Sequence, residues 1–315
     1  MWTFTIALVL LSGATDFFCA MLRRRLGAPS RLDLNVLKLS KAQKPLYQSD
    51  PVVNLSLLGA VVLLLFSFWY IKADFTKLWA PRTAQLLAGV IQEAFPPDGS
   101  QLNQLFTEAV KTLAMSILAI AVAGLGGILL SLPAANNFLL PGGILDTGGN
   151  KNQRWGWAIL VFTRFLLLST RAIPAPIWAL IFLFVLFPGI LPGAIALGIH
   201  NLGILGRLMA EVTENLDERP LRSLKALGAS GPQILLYGVL PRTLPRFIAY
   251  ILYRWEVCIR ATVIVGLVGA GGLGRLLAEQ LSSFDYRGVL ATLICFICLT
   301  FVVDLVSASV RRALR

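Results

Sequence analysis

Long apolar runs, each close to the length that crosses a lipid bilayer, dominate this sequence. A helix spans the hydrocarbon core with about 20 apolar residues. Seven segments approach that pattern: residues 2–21, 52–71, 107–130, 155–187, 192–210, 247–270 and 288–308. Only 14% of the 315 residues are charged and 57% are hydrophobic, which excludes an ordinary soluble domain and a disordered chain. The sequence therefore predicts an all-α, polytopic membrane protein with about seven transmembrane helices.

Two of these segments depart from a simple span. Asp16 interrupts residues 2–21, and no basic residue precedes that apolar run, so we interpret it as an uncleaved helix rather than a signal peptide. An interfacial helix there, which leaves six spans, is the alternative. Residues 155–187 are too long for one straight crossing, and Pro174 and Pro176 predict a kinked helix or an interfacial approach segment.

The basic residues are divided unevenly between the loops that alternate along the chain. The sequence has 28 Lys and Arg residues against 16 Asp and Glu residues, a formal net charge of +12, and 18 of the 28 fall on one set of loops. Loops rich in Lys and Arg stay in the cytoplasm. We therefore predict a multi-pass protein of the cell membrane with an external N-terminus and a cytoplasmic C-terminus. The positive charge then reports orientation in a lipid bilayer, and nucleic acid is not an expected partner.

The predicted cytoplasmic loop at residues 211–246 has the pattern of two short helices. Leu221, Leu224 and Leu227 recur at helical spacing, and Gly228 and Pro232 break the helix before a second apolar stretch that ends at Pro241. Two short helices joined at a glycine would form a rigid projecting surface. An ordinary helical connection between spans is the alternative.

Five motifs follow one another in the second half of the sequence: RAIPAPIWALIF (171–182), ALGIHNLGILGRLMAE (196–211), LGAS (227–230), YGVLPRTLPRFIAYILYRWEVCIRA (237–261) and GLVGAGGLG (266–274). In this order they resemble the permease subunit of phosphonate and phosphite importers, a family of binding-protein-dependent ABC importer permeases. The resemblance implies a type I permease core of five helices at residues 107–310, with its coupling loop at 211–246. Residues 1–106 would add further spans, a basic cytoplasmic loop and an external amphipathic segment.

The resemblance also implies partners. The coupling loop would contact a cytoplasmic ATPase through seven residues: Leu224, Ala226, Leu227, Gly228, Ala229, Leu240 and Pro241. The assembly would contain a second copy of the chain as a homodimer, two ATPases and an external binding protein that delivers a phosphorus oxyanion. The sequence contains no GxxxxGK[ST] motif, so ATP and Mg²⁺ are expected on the ATPase and no cofactor on this chain. It departs from the family at Arg222-Ser223, where the pattern has Glu-Ala, and at Gly238, where the pattern has Ile.

Charged residues within predicted spans need an explanation, because each costs about 2.5–3.5 kcal/mol on insertion scales. Glu256 and Arg260 are four residues apart on one helical face, with Tyr253 a turn earlier. One interpretation is an internal ion pair that locks helices together. The other is a polar translocation pathway in which Arg260, together with Arg254, meets the transported oxyanion.

Three more polar positions are candidates for that pathway. Arg171 lies on one helical face with Arg164, and snorkelling of both toward lipid headgroups is the alternative interpretation. His200 and Asn201 are adjacent in the fifth predicted span, where hydrogen bonds between helices are the alternative to substrate contact. Asp304, near the end of the last span, is expected to pair with a basic residue.

Five glycines occupy nine residues at 266–274. A dinucleotide-binding turn is rejected because the segment follows a predicted membrane helix and not a strand. Tight packing is one interpretation, and a re-entrant turn at an outer gate is the other, with the gate formed by four of these glycines: Gly269, Gly271, Gly272 and Gly274. Cys295 and Cys298 lie on an apolar helix without further ligands, so we expect packing there and no metal.

Two other classes of membrane protein are considered. A secondary transporter tends to show internal repeats, and none is evident in the sequence. An intramembrane enzyme needs a catalytic constellation. The sequence has a single histidine, His200, and contains neither HExxH nor GxSxG.

Overall fold

The computed structural model describes residues 51–71, 79–140, 143 and 150–313, and every regular element in this part of the chain is helical. The all-α prediction is therefore confirmed. The chain divides into two compact units, Met1–Leu86 and Leu87–Arg315, which are taken separately below. The predicted first span at residues 2–21 and the basic loop after it lie outside the described residues.

In the first unit, helix α1 (Pro51–Ile71) lies where the second span was predicted. Its side chains from Leu58 to Ile71 are exposed. Helix α2 (Pro81–Ala94) begins in the first unit and ends in the second. It ends directly before Phe95-Pro96. Phe95 precedes a proline, and a residue in that position is biased away from helical geometry, so the helix is expected to end here.

The second unit holds the remaining helices: α3 (Leu102–Ala134), α4 (Asn136–Leu139), α5 (Asn150–Ala172), α6 (Ala175–Leu186), α7 (Ile190–Glu214), α8 (Arg219–Ala226), α9 (Gly231–Gln233), α10 (Leu240–Val265), α11 (Gly272–Ser282) and α12 (Tyr286–Ala313). Of the described helices, α3, α7 and α12 are each long and apolar enough to cross a membrane. Two bent pairs raise that number to five if each pair forms one span.

The first bent pair joins α5 to α6 at an angle of 91°. Pro174 precedes α6 with an extended backbone (φ −57°, ψ 144°), and Pro176 lies in its first turn. Proline lacks the N–H that would continue the ladder of α5, so the helix breaks at this point. The helix break predicted at Pro174 and Pro176 is confirmed.

The close approach of α3 and α7 depends on small residues. A Cβ at Gly127 of α3 would meet Leu205 Cβ at 3.2 Å and Gly206 N at 3.3 Å, and a Cβ at Gly198 would meet the Ala119 carbonyl oxygen at 3.3 Å. Small side chains let helix backbones approach closely in membrane proteins. The two helices form the centre of the second unit, and α10 packs against both.

Candidate functional site: a coupling segment and an arginine-lined pocket

Helix α8 ends in a glycine turn that fixes the start of the next helical stretch. Gly228 has a φ of +88° and its N–H donates to the Lys225 carbonyl (3.0 Å), while the Ala229 N–H donates to the Leu224 carbonyl (3.1 Å). These two bonds form a Schellman motif, in which glycine is favoured because the left-handed conformation strains other residues. Gln233 then accepts bonds from the Ser230 N–H (2.8 Å) and hydroxyl (2.9 Å). We call residues 219–241 the coupling segment.

One face of the coupling segment is anchored in an apolar cluster. Leu221, Ile234 and Val239 are each 1% exposed and pack with Ala135 and Phe138, which follow α3. A short π-helical stretch, Ile234–Val239, continues into α10 without a loop. The segment is therefore a rigid extension of α10 that also rests on the end of α3.

The seven predicted contact residues divide between the two faces of this segment. Leu224 and Ala229 pack against the apolar cluster, and Leu240 is half-buried. The others are exposed: Ala226, Leu227, Gly228 and Pro241. Leu227 is 85% exposed, and Tyr237 nearby in sequence is 76% exposed.

The two departures from the family pattern have local explanations. A Cβ at Gly238 would lie 2.5 Å from Leu221 Cδ2 and 3.2 Å from Leu224 Cδ1, so the packing of α8 leaves no room for isoleucine. Arg222 donates to Glu218 one turn earlier (2.8 Å), and its side chain is 72% exposed. The exposed face of α8 is therefore cationic at the position where the pattern has an acid.

A second set of contacts ties the neighbouring helices together beside this segment. Arg164 of α5 forms an ion pair with Glu214 at the end of α7 and donates from Nε to the Ala134 carbonyl (3.0 Å). Glu214 also accepts the Asn136 N–H at 2.9 Å. The side chain of Arg164 thus makes an interhelical contact. This differs from both earlier interpretations, snorkelling toward lipid headgroups and substrate binding.

A pocket of about 400 Å³ lies between α5, α6, α7 and α10. Its polar lining comes from four of the predicted pathway residues: Arg171, His200, Asn201 and Arg254. The apolar lining includes Ala175, Leu197, Ile204, Val257, Cys258 and Ala261. Among the residues that the structure describes, the lining has two guanidinium groups, one imidazole and one amide, and no carboxylate. This set favours an anion over a cation.

The polar groups of the pocket are oriented by specific bonds. Arg254 donates from Nε (3.0 Å) and Nη2 (2.6 Å) to Asn201 Oδ1, and Asn201 is buried. His200 Nδ1 lies 3.0 Å from the Ile173 carbonyl, which can only accept, so Nδ1 carries the proton. Arg171 is exposed and makes no ion pair or hydrogen bond with any residue that the structure describes. Its guanidinium is free to meet a ligand.

The other three pathway candidates do not line this pocket. Glu256 accepts a bond from Arg311 (2.5 Å), and Arg260 lies 3.6 Å from Asp304, so both pair with α12 and not with each other. The predicted partner of Asp304 is thereby found. Tyr253 is 56% exposed and is absent from the pocket lining.

The glycine-rich segment produces the second bend, 59° between the stretch ending at Ala270 and α11. Gly269, Gly271 and Gly272 have positive φ values of 108°, 89° and 71°. A Cβ at Gly274 would clash with the Val263 carbonyl oxygen and would lie 2.9 Å from Gly266 Cα. The glycines therefore allow two backbone stretches to pack directly on each other, and the Thr112 hydroxyl accepts the Leu273 N–H (2.8 Å) at the bend.

Sequence reasoning missed several residues of this region. The proline break leaves the Ile173 carbonyl available to accept a hydrogen bond from His200. The prolines that cause this break are visible in the sequence. Arg311 lies 55 residues from Glu256, and its position in the basic stretch after the last predicted span is the only sequence signal for it. The apolar pocket residues gave no signal, because they look like any other membrane-helix residues.

The described part of the chain combines bent membrane-length helices with a helical segment that continues directly into α10. The family of binding-protein-dependent transport system inner membrane components matches residues 139–315, and the chain belongs to this family. It is thus an ABC importer permease of the membrane, a transport subunit and not an enzyme. Membership implies ATPase and substrate-binding protein partners and excludes the secondary transporter and intramembrane enzyme.

Individual relatives agree with this assignment. The chain is 34% identical over 253 residues to the phosphite transport system permease protein PtxC of Stutzerimonas stutzeri, covering 79% of this chain and 85% of that protein. It is 31% identical over 227 residues to the phosphate-import permease protein PhnE of Mycolicibacterium smegmatis, covering 72% of this chain and 40% of that protein. The inward-facing MetNI methionine ABC transporter matches with a TM-score of 0.58 at 16% identity, covering 69% of this chain and 99% of that chain, and shows the shared fold.

Proposed function

We propose that the chain forms the membrane pathway of an importer for phosphite, a phosphonate or a related phosphorus oxyanion. The observation that carries this proposal is the pocket lined by Arg171, Arg254, His200 and Asn201, to which no described carboxylate contributes. The names of the relatives, which refer to phosphite and phosphate, support phosphorus as the central atom. The residues 107–310 would be the permease domain, and residues 1–106 an addition to it.

We assign the translocation role to the four polar residues of the pocket. We assign Glu256 and Arg260 the structural role of locking helices together, because each holds α10 to α12 through an ion pair. Tyr253 is given no role in this proposal.

The four glycines of the proposed outer gate would permit the backbone at the 59° bend to change direction. Gly269, Gly271 and Gly272 have positive φ values that favour glycine, and Gly274 allows the close approach of the Val263 carbonyl.

The coupling segment is the proposed contact with the ATPase. Its apolar cluster fixes the position of α8. A displacement of the exposed face that carries Leu227 would therefore move α10 as well. ATP hydrolysis by two ATPases would then drive two permease protomers between inward- and outward-facing states. This arrangement requires the coupling segment and the C-terminus to be cytoplasmic and the N-terminus external, as the distribution of Lys and Arg predicts.

The proposed transport is tested by uptake in cells that lack their own phosphite and phosphonate uptake. The chain is expressed with the ATPase and binding protein of its own system, and uptake of radiolabelled phosphite and methylphosphonate is measured. We expect uptake that stops on ATP depletion while the ion gradient is held constant. Arg254→Gln should lower uptake by roughly tenfold or more, since it removes one of the charge-assisted contacts with the anion.

The matched control is Arg275→Gln, which removes an exposed arginine of α11 outside the pocket. Uptake by this control should stay near that of the unmodified protein at equal amounts in the membrane. The pathway assignment fails if Arg254→Gln lowers uptake only as far as it lowers the amount of protein.

The homodimer and the orientation are tested separately. Two copies of the chain with different affinity tags should co-purify from one membrane; purification with a different permease alone would contradict the homodimer. When protease is added to spheroplasts, a tag at the C-terminus should be protected and a tag at the N-terminus should be cleaved. The reverse result would contradict the orientation.

A further inference from the structure

The sharp bend between α5 and α6 leaves two backbone carbonyls without their usual donors. We call residues 170–178, which connect these helices, the elbow. In a continuous α-helix the Thr170 carbonyl would accept the N–H of residue 174, but that residue is Pro174, which has no N–H. The Ile173 carbonyl would accept the Ile177 N–H, which instead donates to the Pro174 carbonyl (3.0 Å) at the start of α6. Within a membrane a carbonyl without a donor is costly, because the hydrocarbon core supplies no water.

Side chains of two helices supply the missing donors. Trp178 of α6 donates from its indole Nε1 to the Thr170 carbonyl (3.2 Å). His200 of α7 has its Nδ1 3.0 Å from the Ile173 carbonyl. One bond thus stabilises the elbow from within, and the other attaches it to the neighbouring helix.

The ring of Trp178 also makes contacts that do not depend on its N–H. It stacks on Phe182, with the ring centroids 6.1 Å apart and the ring planes 22° from parallel. The half-buried indole packs against an apolar cluster that includes Ala175 and Ala179. Phenylalanine could make similar apolar contacts but carries no hydrogen-bond donor. The hydrogen bond can therefore be removed while much of the packing is kept.

The last turn of α5 carries Arg171 into the pocket lining. A Cβ at Gly203 of α7 would lie 2.6 Å from the Leu167 carbonyl oxygen and 2.7 Å from the Arg171 nitrogen, so α7 packs directly on this turn. Thr170, whose carbonyl accepts the indole N–H, directly precedes Arg171. The direction in which the Arg171 side chain leaves the backbone therefore depends on how the turn ends, and the Trp178 bond fixes that end.

We propose that Trp178 is a positioning residue of the translocation pathway. Its indole N–H stabilises the bent elbow and thereby holds the Arg171 guanidinium at the pocket, although Trp178 does not itself line the pocket. This inference rests on the proposed function, in which Arg171 meets the transported anion. It adds a residue that acts on the anion only through another side chain.

The geometry of the elbow is measured on the full-length chain purified in detergent. Spin labels are attached to cysteines introduced by Trp157→Cys on α5 and Phe184→Cys on α6, two exposed positions, after the four native cysteines are replaced by alanine. A 91° bend places these positions roughly 28 Å apart, whereas a continuous helix would place them about 40 Å apart. Pulsed EPR should give a narrow distribution near the shorter distance, and Trp178→Phe should extend that distribution toward longer distances.

The matched control is Trp255→Phe, which also removes one hydrogen bond of a half-buried indole. Trp255 of α10 donates to the Ser116 hydroxyl of α3 (3.1 Å) and does not line the pocket. This control should leave the distance distribution unchanged. An unchanged distribution in Trp178→Phe, or an equal extension in Trp255→Phe, overturns the role of the Trp178 N–H in the elbow.

The effect on Arg171 is measured as uptake at equal amounts of protein, in a double-mutant cycle. Trp178→Phe should lower uptake on the order of fivefold, the effect of one hydrogen bond. In the Arg171→Gln background the same change should lower uptake by less than about twofold, because no guanidinium remains to be positioned. Arg171→Lys replaces Arg171→Gln in the cycle if the latter leaves no measurable uptake.

The outcomes of the cycle separate positioning from a general effect on the fold. Normal uptake by Trp178→Phe, or an equal loss in both backgrounds, overturns positioning through Arg171. A substitution that only weakens the fold would lower uptake to the same extent whichever residue stands at position 171. The distance measurement involves no transport, so its failure leaves the proposed function standing. The proposed function is judged by ATP-dependent uptake and by Arg254→Gln alone.

Discussion

The glycine turn of the coupling segment permits a substitution that separates folding from docking. Gly228 is exposed, has a φ of +88°, and a Cβ built on it meets no atom within 4 Å. A side chain at this position therefore costs backbone strain but causes no clash inside the protein. We predict that Gly228→Trp leaves the protein in the membrane and uncouples it from the ATPase.

The size of both effects follows from this geometry. A residue other than glycine in the left-handed conformation costs about 1–2 kcal/mol, a small part of the 5–15 kcal/mol that is typical of a folded domain. A bulky indole on the docking face, by contrast, would hold the two surfaces apart. Loss of a central contact costs about 2 kcal/mol or more, which is roughly thirtyfold in affinity.

Gly228→Asn is the first control, because asparagine tolerates the left-handed conformation and adds little volume. Gly99→Trp is the second, since Gly99 is also exposed with free space around its Cβ position but lies outside the coupling segment. The assay compares the amount of protein in the membrane, co-purification with the ATPase, and ligand-dependent uptake. Both controls should transport normally. Normal uptake by Gly228→Trp at equal expression would refute the coupling assignment.

Three further predictions test the packing and the ion pair that support these sites. Gly238→Ala should destabilise the chain by about 1 kcal/mol, because its Cβ lies 2.5 Å from a buried methyl group of Leu221, and thermal denaturation in detergent would measure it. Gly274→Ala should cost about 3 kcal/mol or more, since its Cβ meets backbone that cannot rotate away, and a melting temperature no lower than that of Gly238→Ala would contradict this order. Glu256→Gln should cost about 1–3 kcal/mol by leaving Arg311 without its carboxylate, and adding Arg311→Met should recover part of the loss; no recovery would show that the pair is not the cause.

The helices were predictable from local sequence features, namely apolar runs long enough to cross a bilayer and prolines that end a helix. The apolar runs gave α3, α7 and α12 to within a few residues, and Pro174 gave the break between α5 and α6. The size of the 91° bend was not predictable, since it depends on how α6 packs against α7. A sequence signal marks where a helix must break, whereas tertiary contacts decide in which direction the chain continues.

The polar partners of the candidate residues were less predictable than the residues themselves. Spacing on one helical face suggested that Glu256 and Arg260 interact, but each reaches across to α12. An i,i+4 pair on a helix gains only about 0.2–0.5 kcal/mol, so a better-placed partner of opposite charge on another helix outweighs it. Arg254 and Asn201, 53 residues apart, likewise meet only because α7 and α10 cross at this point.

The coupling segment and the pocket are linked by the continuity of one helix. The π-helical stretch passes directly into α10 at Leu240, and Arg254 follows 14 residues later, about 21 Å along the same helix. Asn201, its partner, belongs to α7, which Arg164 ties to α5 at the far end. If the coupling segment works as proposed, a movement of α10 relative to α7 would change the two Arg254–Asn201 bonds. Release of those bonds would free the guanidinium for the anion in one state of the transporter and withdraw it in the other, so the same residue pair can report both coupling and binding.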